Sequence, residues 1–245
     1  MAVNNIIVCF PWGAGGNLIR NIIALDSIFE FCAETTDRYK WLLDYYSTPV
    51  TSETWLQREW SIRQQFYNKY YRGGIEYWNP QWLLAYDCHG TQTEIDAITK
   101  NNQLLCYDRY LIDRNLRSEE ISSWRLQDCE FVFVIPQNID AVTDLYHSKN
   151  PSLNQFTHVV EVERKRHALQ TNKVLTKNLL ALTSVVANKQ IYDAESLLRS
   201  PNCILDIVAK LNLSISQEHI ANIHSKWLQS TREIYYNYYN RELTL

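Results

Sequence analysis

Asn5-Ile6-Ile7-Val8-Cys9-Phe10-Pro11-Trp12-Gly13-Ala14-Gly15-Gly16-Asn17-Leu18-Ile19-Arg20-Asn21-Ile22-Ile23-Ala24-Leu25 is the stretch that decides the fold. After Asn5 its first residues are continuously apolar up to Phe10, the pattern of a short strand covered on both faces. Pro11 closes that run. The whole chain has only six glycines, and three of them fall at Gly13, Gly15 and Gly16. Beyond them Leu18, Ile22, Leu25 and Phe29 recur on one helical stripe with Ile19 and Ile23 beside it. Asn17 is the expected N-cap of that helix. Strand, glycine turn and helix in series bring backbone N–H groups together at a helix N-terminus, an arrangement that suits a phosphate-type anion. A tight turn that needs glycine for its own packing has the same sequence. No lysine precedes Lys40 and no Ser or Thr opens the helix, so the turn matches neither GxxxxGK[ST] nor GxGxxG. Arg20, one turn into the helix, is either an anion contact or a surface charge.

Outward from this unit the chain alternates. Residues 52–71 read as a helix rich in Trp and Tyr that stops at Gly73-Gly74. Strands are predicted at 82–86, ending in Asp87-Cys88-His89-Gly90, at 103–107, ending in Asp108-Arg109-Tyr110, and at 131–135, ending at Pro136. Helices are predicted at 168–186, 202–211 and 217–236. Short strands alternating with helices predict an α/β fold around a mainly parallel sheet. No repeat or linker divides the chain. The expectation is a single domain over 1–245, with a helical insertion near 52–74 and a mostly helical part at 164–240. The tyrosine-rich end, Tyr235-Tyr236-Asn237-Tyr238-Tyr239, reads as a packed helix end or a homo-oligomer contact.

Composition narrows the function classes. Of 245 residues 46% are hydrophobic, enough for a substantial core, and 24 Lys and Arg nearly balance 27 Asp and Glu. Bulk charge therefore argues against a nucleic-acid or membrane-surface binder. The six cysteines form no CxxC pair and several lie inside apolar runs, which reads as reduced thiols rather than a disulfide framework or zinc site. No apolar run approaches the roughly 20 residues that span a bilayer, and the expected location is cytoplasmic.

Three segments together resemble the sulfotransferase family, whose P-loop-related fold binds a phosphoadenosine sulfate donor. Phe10-Pro11-Trp12-Gly13-Ala14-Gly15-Gly16-Asn17-Leu18 is similar to its 5′-phosphosulfate loop, roughly PKxGTTWL. Residues 131–147 resemble the strand and helix of its 3′-phosphate segment, roughly RNPxDxxxSxYH, with matches at Asp140, Tyr146 and His147. Tyr192-Asp193-Ala194-Glu195-Ser196-Leu197-Leu198-Arg199-Ser200-Pro201 resembles its YEDLLxDP segment, and residues 204–213 its LxxIxxFLGL helix. Trp12 stands where the family has its loop lysine, Pro136 where it has an arginine, and Asp144 where it has a serine, an anion that would repel a 3′-phosphate.

The resemblance implies a three-layer P-loop-like fold and 3′-phosphoadenosine 5′-phosphosulfate as the donor, with no metal. It implies transfer of a sulfuryl group to a hydroxyl or amine. Trp12, Gly13, Ala14, Gly15, Gly16, Asn17 and Leu18 would contact the donor, His89 would take the acceptor's proton, and Arg109 would clamp the anion in place of the missing cations. Partners are then the nucleotide donor and an acceptor, with neither membrane nor nucleic acid. Two alternatives stay open. Asp108-Arg109-Tyr110 and Asp87 also resemble the substrate arginine and magnesium-binding acid of nucleotide kinases, and a strand-end salt bridge explains them equally. An inactive P-loop-derived assembly or binding module accounts for the 8 Trp and 16 Tyr. Arg164-Lys165-Arg166 with Lys173 and Lys177 reads as an anion-binding face or a solvated helix surface.

Overall fold

The computed structural model describes residues 5–27, 35–47, 83–86, 129–149 and 158–243. Among the described residues four strands make one parallel sheet: β1 (Asn5–Cys9), β2 (Leu83–Tyr86), β3 (Cys129–Ile135) and β4 (Lys189–Asp193), in the order β2-β1-β3-β4. The helices are α1 (Gly16–Ile23), α2 (Arg38–Ser47), α3 (Ile139–Ser148), α4 (His158–Val185), α5 (Ala194–Arg199), α6 (Asn202–Lys210) and α7 (Gln217–Tyr239). The α/β class and the parallel sheet follow the expectation from sequence. The predicted helix at 52–71 and strand at 103–107 lie outside the described residues, as do Asp87, His89 and Arg109.

Register explains why apolar runs without alternation form these strands. Val8 pairs with Val132 and Val132 with Gln190, so β3 is hydrogen-bonded on both edges. Phe131, Val132, Phe133 and Val134 are all fully buried, so both faces of β3 are covered as well. Ile6, Val8, Val132 and Val134 share a cluster with Leu18, Ile22, Val142, Leu197, Ile207 and Ile223. On the other strand parity, Phe131 stacks on Phe133, and α4 packs on β3. Ala168, Leu175, Leu179 and Leu182 give α4 its buried stripe at spacings of seven, four and three. Each such side chain contributes about 1.5–3 kcal/mol of burial.

Four expectations are corrected here. The first helix ends at Ile23, not near Phe29. Beyond it the chain is bound by tertiary bonds: Arg38 donates to the carbonyls of Ala24 (3.0 Å) and Asp26 (2.8 Å), and the Ser214 N–H to Asp26 Oδ2 (2.7 Å). Asn17 is not the N-cap; Gly15 is, with φ of 80°. Strand β4 lies in a part expected to be helical, because Tyr192 is held between Gln190 and Asp206 at 2.7 Å each while the backbone completes the sheet beside β3. Helix α2 was not foreseen, although Asp37 Oδ1 accepts the Lys40 N–H (2.8 Å) as a helix-start residue does.

The tyrosine-rich end of α7 packs within the chain. Tyr235 is buried, Tyr238 hydrogen-bonds Glu161, and Tyr239 lies against Tyr235 and Tyr238. Tyr236 alone of these is markedly exposed. Among the described residues, no helix is long and apolar enough to cross a membrane.

Candidate functional site

In an open parallel sheet, ligands bind beyond the carboxyl ends of strands where neighbouring connections diverge. Among the described strands that point lies between β1 and β3, since the chain leaves β1 towards β2 and leaves β3 towards β4. Two turns meet there, residues 10–15 before α1 and residues 136–138 before α3.

The first turn is built by its glycines. The Ala14 N–H donates to Pro11 O (3.2 Å), with Gly13 at φ of 86°, and Leu18 N–H donates to Gly15 O (2.9 Å) as α1 begins. Left-handed backbone favours glycine at positions 13 and 15. Packing demands it too. A Cβ at Gly13 would stand 2.0 Å from Val142 O, one at Gly15 2.5 Å from Leu197 Cδ2, and one at Gly16 2.0 Å from the Phe10 ring. Each glycine therefore has a reason inside the protein. A side chain at Gly16 would meet Phe10 before any ligand. Ala14 and Leu18 are buried, whereas Trp12, Gly13, Gly15 and Asn17 are half-buried.

Trp12 is held by an aromatic stack. Its ring lies 4.8 Å from that of Tyr146 at 23°. Asn172, fully buried on α4, accepts the Trp12 N–H (3.1 Å) and donates to the Trp12 carbonyl (3.1 Å). Trp227 of α7 lies under Gly15, and His224 Nε2 pairs with Leu197 O (2.6 Å), which fixes α5 beneath the turn. Burial lowers the His224 pKa, so it rests there neutral.

The second turn is closed by the protein's own carboxylate. Glu195, buried at the start of α5, accepts the N–H groups of Gln137 (3.1 Å) and Asn138 (2.6 Å). The Asn138 side chain caps α3 by accepting from Ala141 N–H (3.1 Å), and Asp140 lies in the first helical turn. Burial, then a hydrogen bond shared with Asp193, pushes the Glu195 pKa up. Burial also acts to raise Asp193, but hydrogen bonds from Glu195 and from the Ser196 hydroxyl outweigh it and hold that carboxyl below its ordinary value.

Asp144 does not face the glycine turn. Val142 and Tyr146 do, and Asp144 is about 200° around the helix from each of them at 100° per residue. Its carboxylate meets Lys165 (2.6 Å) and Arg241 (3.1 Å) instead. The repulsion expected of an aspartate beside a bound phosphate is thereby redirected into a structural ion pair. His147 lies nearby, buried with neither ring nitrogen hydrogen-bonded, edge-on to Tyr238. Burial lowers its pKa.

Of the expected cations, Arg109 lies outside the described residues, and Arg20, Lys165 and Arg166 have partners elsewhere. Both hydrogen bonds given for Arg20 go to Asn21 Oδ1 (3.1 and 2.9 Å). Lys165 is spent on Asp144, and Arg166 pairs loosely with Glu163 (3.5 Å) on the exposed side of α4, where Lys173 and Lys177 also lie. Among the described residues no group of three or more His, Cys, Asp or Glu is placed to hold a metal ion. Asn172, Glu195 and Trp227 were not foreseen as parts of this region, and Tyr146 was expected there only as a match in the 3′-phosphate segment. Asn172 had a signal, being a polar residue on the apolar stripe of α4. Compared with family models, curated proteins and solved structures, the chain matches none.

Proposed function

We propose that the chain is a sulfotransferase-like transferase, with a three-layer P-loop-like organisation and a cytoplasmic location. One observation carries the reading. Helix α1 starts at the divergence point between β1 and β3 with no side-chain cap and no acidic residue in its first turn. A positive helix end that no side chain of the described residues caps suits an anionic group.

In this reading residues 12–18 cradle the phosphosulfate of 3′-phosphoadenosine 5′-phosphosulfate, through backbone donors rather than a lysine. His89 removes a proton from the acceptor hydroxyl or amine as that atom bonds to sulfur. The S–O bond to the donor phosphate breaks, and adenosine 3′,5′-bisphosphate leaves. Arg109 supplies positive charge to the leaving group. The step needs no metal, unlike phosphoryl transfer by a nucleotide kinase.

The packing of Gly13, Gly15 and Gly16 against Val142, Leu197 and Phe10 favours a second reading. There the turn is retained for its fold, in a binding or assembly protein without catalysis. Thermal unfolding separates these. Adenosine 3′,5′-bisphosphate at a hundredfold excess over its dissociation constant adds about 2.7 kcal/mol of stability under the transferase reading. ATP with magnesium does so for a kinase, and neither does for an assembly module. His89→Ala should keep bisphosphate binding and lose transfer; unchanged turnover would remove His89 from the mechanism.

A further inference from the structure

Asn172 is fully buried in the middle of α4, 160 residues from the turn that it touches. A buried amide is costly unless its groups are paired. Here the pairing is unusually directed. The side-chain oxygen accepts the Trp12 N–H, and the amide nitrogen donates to the Trp12 carbonyl and to Thr143 Oγ1 (2.9 Å). The Thr143 hydroxyl in turn donates to Ile139 O (2.7 Å), which leaves its oxygen free to accept. Donors and acceptors alternate along this chain, so only one orientation of the amide satisfies it. By engaging both polar groups of one residue, Asn172 does for Trp12 what a paired residue on a neighbouring antiparallel strand would do. The side chain joins the turn after β1 to α3 and α4, across the divergence point.

We propose that Asn172 is the positioning residue of the glycine turn, holding the Trp12 peptide so that the following N–H groups present a fixed geometry to an anionic nucleotide. The tether follows from the contacts above, and its effect on ligand rests on the transferase reading. With no lysine side chain to adapt to the ligand, recognition depends on backbone donors, whose directions are set by how the turn is held. Trp12 stacked on Tyr146 restrains the same residue from its side chain, and Asn172 restrains its backbone.

Amide hydrogen exchange on the full chain tests this, comparing wild type with Asn172→Leu and with Thr176→Val. Thr176 lies one turn along α4, and its buried hydroxyl has no hydrogen-bond partner, so it controls for general disturbance of that helix. Asn172→Leu should speed exchange at Trp12 and Gly13 about tenfold or more, with β3 and α7 unchanged and Thr176→Val like wild type. Wild-type exchange at Trp12 in Asn172→Leu overturns the tether. An equal rise across β3 and α7 overturns it as well, because Asn172 would then serve general stability. Asn172→Ala, which removes the acceptor and both donors without adding apolar bulk, is the second variant should the leucine form not fold, and the same outcomes apply to it. Adenosine 3′,5′-bisphosphate is then titrated into wild type and Asn172→Ala, which adds no charge beside the turn. A loss of about tenfold in affinity supports positioning, and equal affinity overturns it. A wild-type turn that bisphosphate leaves unprotected overturns the transferase reading and the positioning of ligand, while the tether is decided by exchange alone.

Discussion

The turns that follow β1 and β3 face the same problem and solve it in opposite ways. Both leave the carboxyl end of adjacent parallel strands and feed a helix whose first N–H groups have no intrahelical acceptor. At α3 the protein supplies an Asn138 cap, Asp140 in the first turn, and the Glu195 carboxyl oxygens on the N–H groups of Gln137 and Asn138. At α1 it supplies left-handed glycines and tight backbone packing, but neither a side-chain cap nor an acid. One turn already has its anion. The other has been shaped and left without one, which is why the α1 end is the better place to look for a ligand.

The comparison can be broken at four points. The largest effect is expected at Gly13→Ala, where a left-handed φ and a Cβ 2.0 Å from a helix carbonyl act together. A loss of about 3–5 kcal/mol in urea unfolding is expected. A loss below about 1 kcal/mol would mean that the turn yields easily, and that its shape is not set by α3. Next comes Glu195→Ala, which leaves the N–H groups of Gln137 and Asn138 without their acceptor and should cost about 2 kcal/mol. Glu195→Gln, with one accepting oxygen left, should cost about half as much; equal losses would point to charge rather than hydrogen bonding.

Asn138→Ala should cost about 1 kcal/mol through loss of the α3 cap, read as a lower unfolding midpoint at constant slope. The smallest change sharpens the contrast most. Asn17→Asp gives α1 the acid that α3 already has, and should stabilise the free protein by about 0.3–1 kcal/mol, less so in high salt. The same substitution should remove the thermal response to adenosine 3′,5′-bisphosphate. A retained response would place the nucleotide away from α1.

Much of this was legible from residue pattern because the forces involved are local. The continuous apolar runs announced strands buried on both faces, and β1, β2 and β3 stand within a few residues of where the pattern puts them. The spacing of Ile204, Ile207 and Val208, and of Ile220, Ile223 and Trp227, likewise announced α6 and α7. Helix ends were harder. Leu25 continues the stripe of α1, yet Arg38 takes the backbone carbonyls of Ala24 and Asp26 beyond Ile23, and Ser214 the Asp26 side chain. Strand β4 was missed because five residues of mixed character, Lys189-Gln190-Ile191-Tyr192-Asp193, are a strand only once β3 offers an edge.

By itself, the sequence determined that a strand, a glycine turn and a helix stand in series at the start of the chain, and that α/β alternation follows. Those are consequences of periodicity and of backbone freedom at glycine, which act within a few residues. Only tertiary structure decided why each glycine is there, because the atoms they avoid belong to Val142, Leu197 and, within the unit itself, the folded-back ring of Phe10. It likewise decided that Asp144 turns to Lys165 and Arg241, and that Asn172 holds Trp12. Contacts across 160 residues depend on where a parallel sheet brings its carboxyl ends together. That position is a property of the packed whole, and no local pattern encodes it.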